Sequence, residues 1–351
     1  MKIVILSALG KRAARTCIDS LLDTIPGDGF DLFLVAERDF RERTLNYALS
    51  LAGVDQDILF VGDDIEFTPG WYDALTANYS QGDILGFGML YPGTDRVQDR
   101  GYDLVQVDER ITLEPKDRSC LRTEAAPFGC RPCDSVCGCL MMVKAGIFKS
   151  IPRFPEEGQN RWGEFIFMSQ ARKHGARVRV IDHYLYHSGK STKSNPDKAL
   201  SSTSYGIEKT IWKSIVDRYV EPKFITRRYR SGISEALAHT LNEAADILIY
   251  GAGTVCEVLL RHLHDKGITL CSGLSEEQGT IFCGYPVKSC AEAFDSHFDL
   301  LVITPLCLGN DIYRRSCVPL LQNKGKGGAP AIAVTLRIEG DRYIYDEMRL
   351  S

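Results

Sequence analysis

Short apolar runs alternate with helix-period segments along the first 200 residues, and this alternation constrains the fold more than any other feature. "KIVILSAL" (2–9), "DLFLVAE" (31–37), "DILFVGDD" (57–64), "DILGFGMLY" (83–91) and "SVCGCLMMVK" (135–144) each read as a strand. Helical patterns follow several of them. In "RERTLNYALSLAG" (41–53), Leu45, Leu49 and Ala52 share one helical face, and a further helix starts at Trp71. Strands that alternate with helices predict an α/β fold, a mixed and mostly parallel sheet with helices on both faces. The stretch between about 92 and 130 reads as irregular. A second, smaller α/β pattern starts near residue 245 with "ADILIYGAGTVCEVLLRHLHDKG". The expected domains are therefore 1–203, a helical linker at 204–244, and 245–351.

At 351 residues, the chain is long enough for two domains. A net charge of −4 gives no global signal for nucleic acid. No apolar run spans a bilayer, which leaves room only for peripheral membrane association. The opening "MKIVILSALGKR" reads as a first strand, because Lys11, Arg12 and Arg15 stand where a signal peptide needs small residues. Twelve cysteines without such a signal read as reduced thiols, and the expected location is cytoplasmic.

In open α/β sheets, ligands bind beyond the carboxyl ends of the strands. The third run ends there on two adjacent acids, Asp63 and Asp64, followed by Pro69-Gly70-Trp71. Carboxylates at a strand end need water, a donor or a cation. One reading is a solvated strand end, with Asp64 helping to cap the next turn. The other is a hard-cation site, since Mg²⁺ and Mn²⁺ take one or two carboxylates and fill the remaining positions with phosphate and water. Such an ion would clamp a nucleoside diphosphate.

Five ordered pieces, "GDDIEFTPGW", "SVCGCLMMVKAGIF", "WGEF", "RKHG" and "YHSGKST", resemble glycosyltransferases of the GT-A fold, in particular the family 2-like group. The resemblance covers residues 1 to about 195. It implies a transferase that moves a sugar, such as a hexose, from a nucleotide-diphosphate donor to the hydroxyl of a carbohydrate or glycoconjugate acceptor. It further implies inversion at the anomeric carbon and a need for Mn²⁺ or Mg²⁺. By this resemblance Asp64 and His187 are the metal ligands, and Asp63 assists; His183, four residues before His187 and on the same face of a strand, is an alternate. Glu164 is the catalytic base. Ser7, Ala8, Glu37, Asp39, Arg43 and Asn46 line the donor. Two positions depart from the family pattern. Gly62 stands where D-x-D has its first acid, and Phe165 stands where W-x-E-D has its last. The alternatives are a sugar nucleotidyltransferase, which "LSALGKRAAR" does not support for lack of a Gly-rich loop, and a non-catalytic nucleotide- or NAD-binding sensor or scaffold.

Cys130, Cys133, Cys137 and Cys139 crowd into "CRPCDSVCGC". C-x-x-C plus C-x-C could hold zinc. The expectation is instead that they are small apolar fillers, with Cys137 and Cys139 on one face of a strand. In the second pattern, "GAGTVC" resembles a Rossmann opening with Cys256 in its third small position, and the next strand ends on Ser275 rather than on an acid. The expectation there is a Rossmann-like domain that has become a scaffold or a degenerate nucleotide site.

Overall fold

The computed structural model describes residues 1–7, 11–27, 29–36, 41–117, 120–156, 162–188, 204–244, 246–250, 254–265, 270–274, 281–282, 285–286, 290–295, 297–304, 318, 322, 330–339 and 342–350. Ala8, Glu37 and Asp39 lie outside the described residues, as do Lys190, Ser191 and Thr192, the glycine turn at 251–253, and Ser275. The chain divides into two compact units. The first holds residues 1–105, 111–199 and 210–227, and the second holds 106–110, 200–209 and 228–351. The segment 204–244, expected as a linker, is thus shared between the units.

The elements up to residue 190 are β1 (Lys2–Ser7), α1 (Lys11–Thr24), β2 (Asp31–Ala36), α2 (Arg41–Ala52), β3 (Ile58–Gly62), β4 (Ile65–Glu66), α3 (Trp71–Asn78), β5 (Ile84–Leu90), β6 (Val97–Asp99), β7 (Tyr102–Val107), β8 (Arg110–Pro115), β9 (Cys130–Pro132), β10 (Leu140–Val143), α4 (Ala145–Phe148), α5 (Gly163–Lys173) and β11 (Val178–His187). The first unit's sheet has the order β2-β1-β3-β10-β5-β11-β4, with β6 on β5 and β9 on β11. β2, β1, β3, β5 and β11 all run one way, and β10 runs against them between β3 and β5.

The apolar runs explain this arrangement. β1 and β3 are apolar at nearly every position, which suits strands covered on both faces. Val4, Leu6, Ile58 and Phe60 point into one core with Leu45 and Leu49 of α2 and Phe167 and Met168 of α5. Ile3, Ile5, Leu59 and Val61 alternate into the other, with Cys17 and Leu21 of α1 and Trp71 and Leu75 of α3. The unit is a three-layer α/β/α structure. β2, which is largely exposed, takes the edge.

The Pro-Gly-Trp motif is structural. Gly70 caps α3 with φ of 85°, a conformation that suits glycine. Trp71 is fully buried, and its indole Nε1 donates to Thr24 Oγ1 at 2.9 Å, tying α3 to α1. The stretch read as irregular contains β6 to β9. The run read as a strand from 135 to 144 is strand only over Leu140–Val143, so Cys137 and Cys139 sit in the turn before it.

The later elements are α6 (Ser204–Tyr219), β12 (Arg227–Ile233), α7 (Glu235–Glu243), β13 (Ile247–Tyr250), α8 (Thr254–Asp265), β14 (Leu270–Leu274), β15 (Ile281–Phe282), β16 (Tyr285–Pro286), α9 (Cys290–Asp295), β17 (Leu300–Ile303), β18 (Ala331–Glu339) and β19 (Arg342–Leu350). In the second unit β14, β13, β17 and β18 are parallel neighbours, and a hairpin from β18 to β19 follows. Cys256 is buried in this unit's core. Among the described residues, no helix is long and apolar enough to cross a membrane.

Candidate functional site

The carboxyl ends of β1, β3 and β11 bring Ser7, Asp63, Asp64 and His187 together, and the backbone shows how. Asp63 N–H donates to Leu6 O at 3.1 Å, fastening the end of β3 to the end of β1. β4 pairs antiparallel with β11, with Ile65 opposite His187, and Ser188 N–H donates to Asp64 O at 3.1 Å. This pairing sets His187 Nε2 3.4 Å from Asp64 Oδ2, with both side chains largely buried.

The adjacent acids have different partners. Asp63 is buried and accepts from Ser7 Oγ at 2.8 Å. Asp64 faces His187. At Gly62, the position of the missing first acid, a Cβ would stand 2.9 Å from Asp64 Oδ1. Its N–H donates to Cys139 O at 2.6 Å, which joins β3 to the turn before β10.

His187 Nδ1 lies 3.0 Å from Gln98 Oε1 on β6. With Nδ1 donating to Gln98, Nε2 is left facing Asp64. Burial works against the imidazolium, but the bond to Asp64 and the nearby Cys137 and Asp99 outweigh it and raise His187 to about 9. Cys137 Sγ and Cys139 Sγ are 2.9 Å apart. Burial pushes the Cys139 thiol well up, whereas the hydrogen bond from Cys139 lowers Cys137. The ligand atoms of Cys137, Cys139 and His187 all lie within 4.8 Å of one another.

Gly138, between the two cysteines, touches the predicted base. Glu164, in the first turn of α5, is largely buried, and a Cβ on Gly138 would stand 2.8 Å from its Cδ. Arg41, at the start of α2, ion-pairs with Glu164 through Nε and donates from Nη2 to Gly138 O at 2.8 Å. The predicted base is therefore held by a guanidinium rather than standing alone. Phe165, which replaces the acid of the W-x-E-D pattern, is core and packs 5.2 Å from the Trp212 ring.

Other predicted residues go elsewhere. Asn46 uses both ends of its amide on Phe154, donating to its O at 2.9 Å and accepting from its N–H at 2.7 Å. Arg43 is half-exposed and meets Glu156 at 3.3 Å. The partners of Arg43 and Asn46 thus lie in the segment before α5 and not at the Asp64 corner. His183, the alternate ligand, pairs with Thr68 Oγ1 at 2.9 Å and joins the P-G-W region. Arg172 of "RKHG" pairs with the buried Asp134 at 2.6 Å.

Sequence reading missed Arg41, Gln98 and the approach of the thiols to His187. Gln98 lies in a three-residue strand with no apolar signature, and Arg41 precedes Arg43 by only two positions. The C-G-C spacing was the available signal for the thiols. The donors at this corner fit a divalent cation. One carboxylate and one imidazole nitrogen converge in a buried position, and the second imidazole nitrogen is held by a hydrogen bond, as metal-binding histidines usually are.

No protein-family model matches the chain, and no curated protein matches it. Among solved structures, the chain is similar to GalNAc-T7 with UDP, GalNAc and Mn2+, at 11% identity and a TM-score of 0.41, over 53% of this chain and 43% of that one. It is also similar to S. aureus TarS 1-349 in complex with UDP-GlcNAc, at 14% identity and a TM-score of 0.40, over 64% and 69% of the two chains. A third is A197 from STIV, at 12% identity and a TM-score of 0.34, over 52% and 81%. The chain spans less than half the length of the GalNAc-T7 chain it matches.

Proposed function

We propose that the chain is a glycosyltransferase that moves a sugar from a nucleoside-diphosphate sugar to an acceptor hydroxyl on a carbohydrate or glycoconjugate. The observation that carries this reading is the meeting of Asp64 and His187 at 3.4 Å, beyond the carboxyl ends of β3 and β11. Asp64 and His187 would hold a divalent cation. When bound, that ion supplies the positive charge that a leaving nucleoside diphosphate needs.

The chain's own residues do the rest. Ser7 fixes Asp63, and Asp63 fastens the end of β3 to β1, which presents Asp64. Gln98 orients the His187 ring. Glu164 accepts the proton of the acceptor hydroxyl once that hydroxyl displaces Arg41 from its carboxylate. A single attack from the face opposite the leaving group inverts the anomeric carbon. The second unit serves as a Rossmann-like scaffold.

Thermal shift with UDP- and GDP-sugars and with NAD, each with Mn²⁺, with Zn²⁺ or with EDTA, tests this reading, because a ligand stabilises the site it occupies. A nucleotide-sugar shift that needs the metal and disappears in Asp64→Asn is expected. A shift with NAD alone, or a nucleotide-sugar shift undiminished in EDTA, overturns it.

A further inference from the structure

We propose that Cys137, Cys139 and His187 supply the ligands of a zinc-class ion beside Asp64, a set poorly suited to Mg²⁺ or Mn²⁺, with Asp64 or a donor phosphate in the fourth position. The proposal rests on that corner being a metal site, and it does not depend on the transfer reaction.

Three features converge. The first is placement. The two thiols sit in a turn between Val136 and β10, partly buried against the apolar core that includes Trp71 and Leu140. Their ligand atoms group with that of His187 inside 4.8 Å. The turn is fixed to β3 by the Gly62 N–H to Cys139 O bond of 2.6 Å, so its position against Asp64 is built in.

The second is distance. A tetrahedral ion with N and O ligands at about 2.0–2.1 Å holds them about 3.3 Å apart. His187 Nε2 and Asp64 Oδ2 stand at 3.4 Å, a separation that admits one shared ion. Two thiolates at about 2.3 Å from such an ion lie about 3.8 Å apart. The sulfurs stand at 2.9 Å. They must therefore part by somewhat less than 1 Å, a small side-chain rotation in a three-residue turn whose middle residue is glycine.

The third is ligand chemistry. Soft thiolate ligands with an imidazole select zinc, and hard Mg²⁺ is a poor match for them.

The test uses the full chain purified without chelator. Metal content is measured by mass spectrometry, and the metal-stripped chain is titrated with Zn²⁺ and with Co²⁺, whose thiolate charge-transfer absorption reports sulfur ligation. About one zinc per chain and a thiolate–cobalt band are expected. In the double variant Cys137→Ser, Cys139→Ser the band should vanish and zinc affinity should fall roughly 100-fold or more. The wild-type cobalt spectrum is decisive even if the variant fails to fold. If cobalt binds without a thiolate band while Mn²⁺-dependent UDP binding persists, the thiolate proposal is wrong and the Asp64–His187 reading stands. If the wild type binds no divalent cation, both fail.

Discussion

Replacing Gly62 by alanine should separate folding from metal binding at this site. Gly62 lies outside the left-handed region, so alanine fits the backbone, and its N–H bond to Cys139 O can survive. The new Cβ would start 2.9 Å from Asp64 Oδ1. Ordinary contact begins near 3.4 Å, so the carboxylate must retreat by about 0.5 Å. Reduced freedom of the unfolded chain favours alanine by about 0.4–1 kcal/mol. A displaced rotamer costs about 0.5–1.5 kcal/mol. Stability should therefore stay within about 1 kcal/mol of wild type. Metal ligands tolerate only about 0.2 Å, and a shift of this kind should weaken metal-dependent UDP binding by roughly 10- to 100-fold. Urea unfolding measures the first quantity and calorimetric titration of UDP with the metal measures the second. Unchanged binding, or a loss of several kcal/mol in stability, would refute the reasoning.

Glu164→Gln should leave nucleotide binding intact and lower turnover by about 10² to 10⁴, as loss of a general base does; equal loss of binding and turnover would reassign Glu164 to the donor site. In the metal-free chain, the His187–Asp64 pair should stabilise the fold fully below the ordinary histidine value of 6.5, and that contribution should be lost as pH rises through about 9. Urea midpoints between pH 6 and 10 read this, and His187→Gln should flatten the profile. Trp71→Phe should lower stability by about 1–3 kcal/mol, through the indole bond to Thr24 and the lost packing, and leave metal binding unchanged in the same titration.

The sheet was legible in the sequence where its strands are buried. β1, β3 and β5 are apolar at nearly every position and show as runs, because both faces are covered. β6 to β9 were not legible. "RITLEP" of β8 is half-exposed along its length, and three-residue strands such as "VQD" carry too few residues for any period. The turn holding Cys137 and Cys139 read as strand because "SVCGCLMMVK" is continuously apolar. Hydropathy does not register that Gly138 must approach Glu164 closely, nor that Gly62 and Cys139 share a bond. The segment 204–244 read as one helical linker. Its division between the units depends on contacts made far along the chain, such as that of Trp212 with Phe165 within the first unit.

The two adjacent acids mark where local pattern stops being informative. Side by side after the same strand, they look equivalent, and both the solvated and the cation-bound readings suit the pair. Their fates diverge through residues that sequence cannot place near them. Ser7 at the end of β1 takes Asp63, because β1 and β3 are parallel neighbours in register from Lys2 opposite Ile58 to Leu6 opposite Gly62. His187 at the end of β11 takes Asp64, because β4 turns back to pair with β11. A carboxylate and an imidazole that meet in a buried corner lack the water that would solvate a plain strand end. They must hold each other by a proton or share a cation. That choice arises from three strand ends and one turn rather than from the D-D pair itself.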